Sequence, residues 1–120
     1  MATDMLLNTM KSDDIDSRKK LFNALNNAES LNANDSWPIM VSDIVIVPGT
    51  RAVSGDACEN VYLICEDGKA YFSQSNGIAK SAKELAAIFE FDSKMAIPLR
   101  VTTMQNSRNG NTIKSLEICD

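Results

Sequence analysis

ENVYLICEDGKAYFSQ, residues 59–74, carries the plainest fold signal in the chain. Two runs of strand-type residues, Val61–Cys65 and Ala70–Ser73, flank Asp67–Gly68. A two-residue type I′ turn needs positive φ at both central positions, and Asp-Gly meets that need. Such a turn sets Glu66 opposite Lys69, Cys65 opposite Ala70, Ile64 opposite Tyr71, Leu63 opposite Phe72 and Tyr62 opposite Ser73. One face then holds Val61, Leu63, Cys65, Ala70 and Phe72 and reads as core. The other holds Tyr62, Ile64, Glu66, Lys69, Tyr71 and Ser73. It reads as a solvent face with both tyrosines on it.

Working outward, Met40–Val47 (MVSDIVIV) is rich in β-branched residues and begins just after Pro38, which a strand start tolerates. Pro48–Gly49 predicts a bulge or bend, with Thr50–Val53 resuming the strand and Ser54–Glu59 forming a polar loop. Downstream, Ser81-Ala-Lys-Glu84 has the form of a capping box. It predicts a helix starting there, with Ala82, Leu85, Ile88 and Phe89 in one apolar stripe. In Ala96–Met104, Ile97, Leu99, Val101 and Thr103 alternate with Pro98, Arg100, Thr102 and Met104, which predicts a strand. Gln105–Asn111 is turn-rich. Thr112–Cys119 closes the pattern, and its change of phase between Ile113 and Leu116 predicts another bulge. Before the sheet, Asp16–Ala28 predicts a short helix with Leu21, Leu25 and Ala28 on one face and Phe22 beside it, although Asn23, Asn26 and Asn27 oppose it. Residues 1–15 read as a flexible arm and 16–120 as one domain. The fold class is mainly β. Its order, three strands, a helix, then two strands, is that of a five-stranded OB-type barrel with its helix between strands three and four.

Composition narrows the chemistry. A chain of 120 residues, 44% apolar and 23% charged, suits a single globular domain. No apolar run approaches the roughly twenty residues of a membrane span, and the start, MATDMLLNTMKSDD, lacks a signal-peptide layout. A cytoplasmic protein without membrane contact is expected. There is no histidine, which excludes imidazole bases, histidine triads and histidine metal sites. Cys58, Cys65 and Cys119 are odd in number and form no C-x-x-C pair, so neither a disulfide framework nor a cysteine zinc site is expected. No carboxylate pair or glycine-rich phosphate loop stands out. The expectation is a binding protein, not an enzyme, without metal or cofactor. Sixteen acids against twelve bases give a net charge of −4. That speaks against coating duplex DNA by charge, but not against single-strand binding, where base stacking on aromatic rings carries much of the affinity.

The candidate site residues follow from these placements. Tyr62 and Tyr71, on one exposed face, make a stacking platform, or are simply good strand residues with their hydroxyls in water. Trp37, before Pro38, stacks on a base or closes one end of the barrel. Phe72 and Phe89 fall on core faces and read as packing, while Phe22 packs on the barrel or docks a neighbouring subunit. Lys69 and Arg100 project from the polar sides of strands, Arg51 follows the Pro-Gly kink, and Lys114 lies beside the last bulge. Each pairs with a phosphate or stands as an ordinary solvated charge. Arg108 sits in the last connection, whose OB counterpart often closes over a bound strand. Arg18, Lys19 and Lys20 form the only basic run, at a helix start where the dipole disfavours positive charge. They touch DNA or an acidic partner.

Three stretches carry a likeness: RKKLFNALNNAESL, then ICEDGKAYFSQSNGIAKSAKELAAIFE, then IPLRVTTMQNSRNGNTIKSLEI. In their order and spacing, over about residues 18–119, the chain resembles the small single-stranded-DNA-binding proteins of the protein-primed Bacillus phages. The resemblance implies a protein of the host cytoplasm that coats displaced single strands during replication, without sequence preference or cofactor. Single-stranded DNA is the implied partner. Replication proteins and other copies of the chain are further candidates. The long polar start and the cysteines depart from that family. The rival reading is a small β-barrel interaction module that uses both tyrosines as interface anchors.

Overall fold

The computed structural model describes residues 7–9, 15–31, 37–51, 53–89, 96–105 and 112–119. The elements run β1 (Leu7–Asn8), α1 (Ile15–Asn27), β2 (Glu29–Ser30), β3 (Ile39–Thr50), β4 (Ala57–Cys65), β5 (Ala70–Ser73), α2 (Asn76–Ile88), β6 (Ile97–Gln105) and β7 (Thr112–Ile118). The protein is mainly β, a single sheet curled into a half-barrel with two helices. The sheet path is β2-β5-β4-β3-β6-β7, with β1 paired to β3 beside it. The five expected strands are the long ones, β3 to β7. Among the described residues, the two-residue strands β1 and β2 raise the number to seven.

β3 organises the sheet because its run of β-branched residues is buried on both sides from Val41 to Val47. It pairs with β6 over Ile39–Val41, with β4 along most of its length, and with β1 at Val45–Ile46. The register shifts between Val41 and Asp43, where the strand changes partners. The bulge or bend expected at Pro48–Gly49 is absent. At those two residues the pairing is unbroken, from Val47 opposite Asn60 to Thr50 opposite Ala57. Gly49 serves the close approach of β4, since a Cβ there would run into the Asn60 side chain. The chain turns only after Thr50: the Arg51 N–H donates to the Asp56 carbonyl at 2.9 Å, and the Gly55 N–H to the Arg51 carbonyl at 2.9 Å. Ala57–Glu59 therefore belongs to β4 and not to a loop.

The central hairpin differs from expectation by one residue, and the difference matters. Asp67 does not adopt positive φ; Gly68 does, at +91°. The Gly68 N–H donates to the Cys65 carbonyl at 3.0 Å, the Cys65 N–H to the Lys69 carbonyl at 2.8 Å, and the Lys69 N–H to Asp67 Oδ1 at 3.0 Å. The loop thus holds three residues, Glu66-Asp67-Gly68, with the glycine in the left-handed position that a three-residue hairpin requires. Ile64 pairs with Ala70, Leu63 with Tyr71, Tyr62 with Phe72 and Val61 with Ser73. A one-residue slip exchanges the two faces of a strand. Tyr71 joins the main core with Leu63 and Val61, and Phe72 moves to the opposite face with Tyr62.

Two apolar layers result. The main one packs α2 residues Ile78, Ala79, Ala82 and Leu85 against Val41, Ile44, Ile46, Leu63 and Leu99. The second lies under α1, whose buried Ala24 and half-buried Leu21, Leu25 and Ala28 meet Val45, Val47, Tyr62 and Ile64. The helix expected from Asp16 is present. α2, however, begins at Asn76, capped by Ser75, whose hydroxyl accepts from the Ile78 N–H at 3.4 Å. Ser81 is inside the helix, and its hydroxyl accepts from the Leu116 N–H at 3.1 Å, tying α2 to the β7 edge. The apolar stripe ends at Leu85: Ile88 is 73% exposed. Phe89 leaves the helix with extended backbone and packs partly on the core. β6 and β7 pair without interruption from Leu99 opposite Ile118 to Gln105 opposite Thr112, so β7 carries no bulge against β6.

The stretch read as a flexible arm is anchored at Leu7–Thr9. Leu7 packs against the main core. The Thr9 N–H donates to the Ile44 carbonyl at 3.0 Å, and its hydroxyl accepts from the Ile44 N–H at 2.9 Å while donating to the buried Asp43 carboxylate at 3.0 Å. Sequence pattern missed this because two residues show no periodicity.

Candidate nucleic-acid interface

The face expected to be a platform of two tyrosines is covered. Tyr62 is 9% exposed under α1, its ring centroid 5.3 Å from that of Phe72 at a tilt of 44°. Tyr71 is 7% exposed on the other side of the sheet. Burial raises both phenols above their ordinary value of 10.0, Tyr71 with help from the negative charge of Glu29 and Asp67 nearby. Both rings are neutral at physiological pH. Tyr71 still borders a shallow cleft of about 190 Å³ with Pro38, Met40, Glu66, Asp67 and Lys69.

A second opening collects side chains from far apart in the sequence. It is a groove of about 460 Å³ lined by Ser30 of β2, Phe72 and Ser73 of β5, Gln74 and Ser75 before α2, Arg51 after β3, and Lys114 of β7. It therefore lies where the two ends of the curled sheet face each other. Phe72 is half-buried: one side meets Tyr62, and it lines the groove. Arg51 is braced, its guanidinium donating to the Gln74 carbonyl at 3.1 Å and to Asn76 Oδ1 at 3.3 Å. Gln74 in turn donates to the Thr50 carbonyl at 3.2 Å and to Asn60 Oδ1 at 3.0 Å. This network holds a positive charge and an amide at the groove wall in fixed positions. An aromatic ring, two cations and several hydroxyls in one groove can take a base and its phosphates.

The remaining candidates separate from this groove. Lys69 is exposed at the hairpin tip and lines another groove, of about 330 Å³, with Asn23, Asn27, Glu29, Gly68 and Ala70. Trp37 is 37% exposed beside Pro38. Arg100 is engaged across the strands with Glu117 at 3.2 Å, an exposed pair of small energetic weight. Arg108 lies outside the described residues. Phe72, read as packing, does pack against the second apolar layer, but on the face opposite to the one expected, where it also lines the groove. Sequence reading gave no sign that Arg51 and Lys114 share a groove, because 62 positions of chain lie between them.

The cysteines are free thiols, with Cys65 buried and its ionisation pushed up to about 12 by burial and by the acidic hairpin residues Asp67 and Glu66. No group of histidine, cysteine or carboxylate residues able to hold a metal occurs among the described residues. No described helix is long and apolar enough to cross a membrane.

Comparison with known proteins places the chain. The family model of the Phi29-type phage single-stranded DNA-binding protein matches residues 1–119. The chain belongs to that family. The match takes in the N-terminal stretch that departed from the resemblance noted above, so β1 and α1 are part of the family's span. No curated protein and no solved structure matches the chain.

Proposed function

We propose that the protein binds single-stranded DNA without sequence preference and coats displaced strands during phage replication in the host cytoplasm, acting as a binding protein and not as an enzyme. Family membership supplies the ligand class. The observation that carries the mechanism is the groove between the sheet ends, where Phe72, Arg51 and Lys114 converge from three separate elements. In this reading a base stacks on the Phe72 ring while Arg51 and Lys114 take neighbouring phosphates. Gln74 and the hydroxyls of Ser30, Ser73 and Ser75 bond to whichever base or sugar edge is present. Such a mixture favours unpaired strands, because a duplex cannot offer an unstacked base.

We read β3 to β7 as the five strands of a partly open OB-type barrel, with α2 between the third and fourth and with β1 and β2 as additions. In that frame α1 occupies the outer face of strands two and three, where OB folds often bind oligonucleotides. The ligand is accordingly displaced to the groove at the sheet ends. By binding only the unpaired form, the protein melts weak secondary structure through mass action. The test is a titration with labelled poly-dT and with a duplex of equal length. The single strand is expected to bind and the duplex to bind at least tenfold more weakly, whereas equal affinities would remove the stacking mechanism.

A further inference from the structure

We infer that the outward face of α1 is a second contact station for the same single strand, an inference that rests on the groove reading above and extends it. Ile15, Arg18, Lys19, Phe22 and Asn23 recur at helical spacing on the side of α1 away from Leu21, Ala24, Leu25 and Ala28, and they line an open concavity of about 520 Å³. Phe22 is 66% exposed and Ile15 67%. A large ring left in water at the centre of a helix face, flanked by cations, contributes nothing to either apolar layer. The charge is concentrated here too. Arg18-Lys19-Lys20 puts three of the twelve bases of a net-acidic chain at consecutive helix positions, Arg18 in the first turn, where the dipole disfavours positive charge. A polyanion that also presents flat aromatic bases complements both features at once.

Position supports the same occupant. Asn23 lines both this concavity and the groove that holds Asn27, Glu29 and Lys69. That groove adjoins the candidate interface, since Glu29 precedes Ser30 and Ala70 lies two residues from Phe72 in β5. A strand leaving Phe72 can therefore pass Lys69 and Asn23 and end with a base on Phe22 and phosphates at Lys19 and Arg18. The binding site then comprises two stations joined by a shallow trough.

Anisotropy titrations with dT oligonucleotides of about 4 and about 16 nucleotides, the span of single-fold site sizes, separate the two stations. Phe22→Ala is expected to weaken binding of the long oligonucleotide about 5- to 150-fold and leave the short one unchanged. Lys19→Gln is expected to lower the log–log salt slope on the long one by about 0.7. Both side chains are exposed, so melting temperatures stay at the wild-type value. Wild-type affinity of both variants at both lengths would overturn the inference while leaving the groove intact. Unchanged DNA affinity with an altered sedimentation coefficient for Phe22→Ala would overturn it in favour of a contact between copies of the chain. If Phe22→Ala weakened the short and long oligonucleotides alike, there would be one station and not two. Failure of the wild-type protein to bind either oligonucleotide would instead remove the groove reading, and this inference with it.

Discussion

At the scale of single residues, the positions of the aromatic rings decide what each one does. Tyr62 sits under α1 against Phe72, and Tyr71 faces the opposite layer. Truncating either tyrosine opens a cavity in a packed layer, which for large aromatic side chains costs about 3–5 kcal/mol. Tyr62→Ala is therefore expected to lower stability by about that amount in denaturant titration, with any loss of DNA affinity following from unfolding. Phe72→Ala should behave differently. Its ring is only partly buried and lines the groove, so affinity for poly-dT is expected to fall by about 1–3 kcal/mol at folded-protein concentrations corrected for stability. A fully folded Tyr62→Ala variant with weakened binding, beside a Phe72→Ala variant with full affinity, would reverse these assignments.

At the scale of elements, local hydrogen bonds determine where each one starts and what it is tied to. Ser75 caps α2, and Ser81 holds the β7 edge from inside the helix. Ser75→Ala is expected to cost about 1 kcal/mol by removing the cap. Ser81→Ala leaves the Leu116 N–H without its acceptor and is expected to increase amide exchange at Leu116 specifically, with the helix start unaffected. A similar logic applies to β1. Thr9→Val removes both the bond to Asp43 and the acceptor for the Ile44 N–H, and is expected to destabilise the protein by about 1–3 kcal/mol in chemical denaturation. No change would mean that β1 adds nothing to the sheet. The strands themselves were legible because β-branched runs and alternation survive in one dimension: β3, β4, β5, β6 and β7 lie close to where Met40–Val47, the Asp-Gly hairpin and Ala96–Cys119 predict them. What was not legible depended on one extra residue or on distant partners. Asp67–Gly68 fits both a two-residue and a three-residue hairpin, and only the second puts Phe72 at the groove. Ser81-Ala-Lys-Glu84 imitates a helix start, while the true start at Ser75-Asn76-Gly77 is masked by two poor helix formers.

At the scale of the whole molecule, the question is how a chain of net charge −4 binds a polyanion. The proposed groove offers an answer by geometry. Lys83 pairs with Glu59 and Arg100 with Glu117 on the surface. Arg51 and Lys114 line one groove together with Phe72. In the proposed mechanism few phosphates are neutralised there, and stacking carries the balance. That claim is tested most directly by the salt dependence of poly-dT binding in the wild-type protein and in Lys114→Gln. With about two to four phosphate contacts, the log–log slope is expected at about −1.5 to −3, so that raising salt from about 50 to 200 mM weakens binding roughly tenfold to sixtyfold. Lys114→Gln is expected to reduce the slope by about 0.7. A wild-type slope steeper than about −5, or one that Lys114→Gln leaves unchanged, would contradict the account and move the binding surface away from the groove.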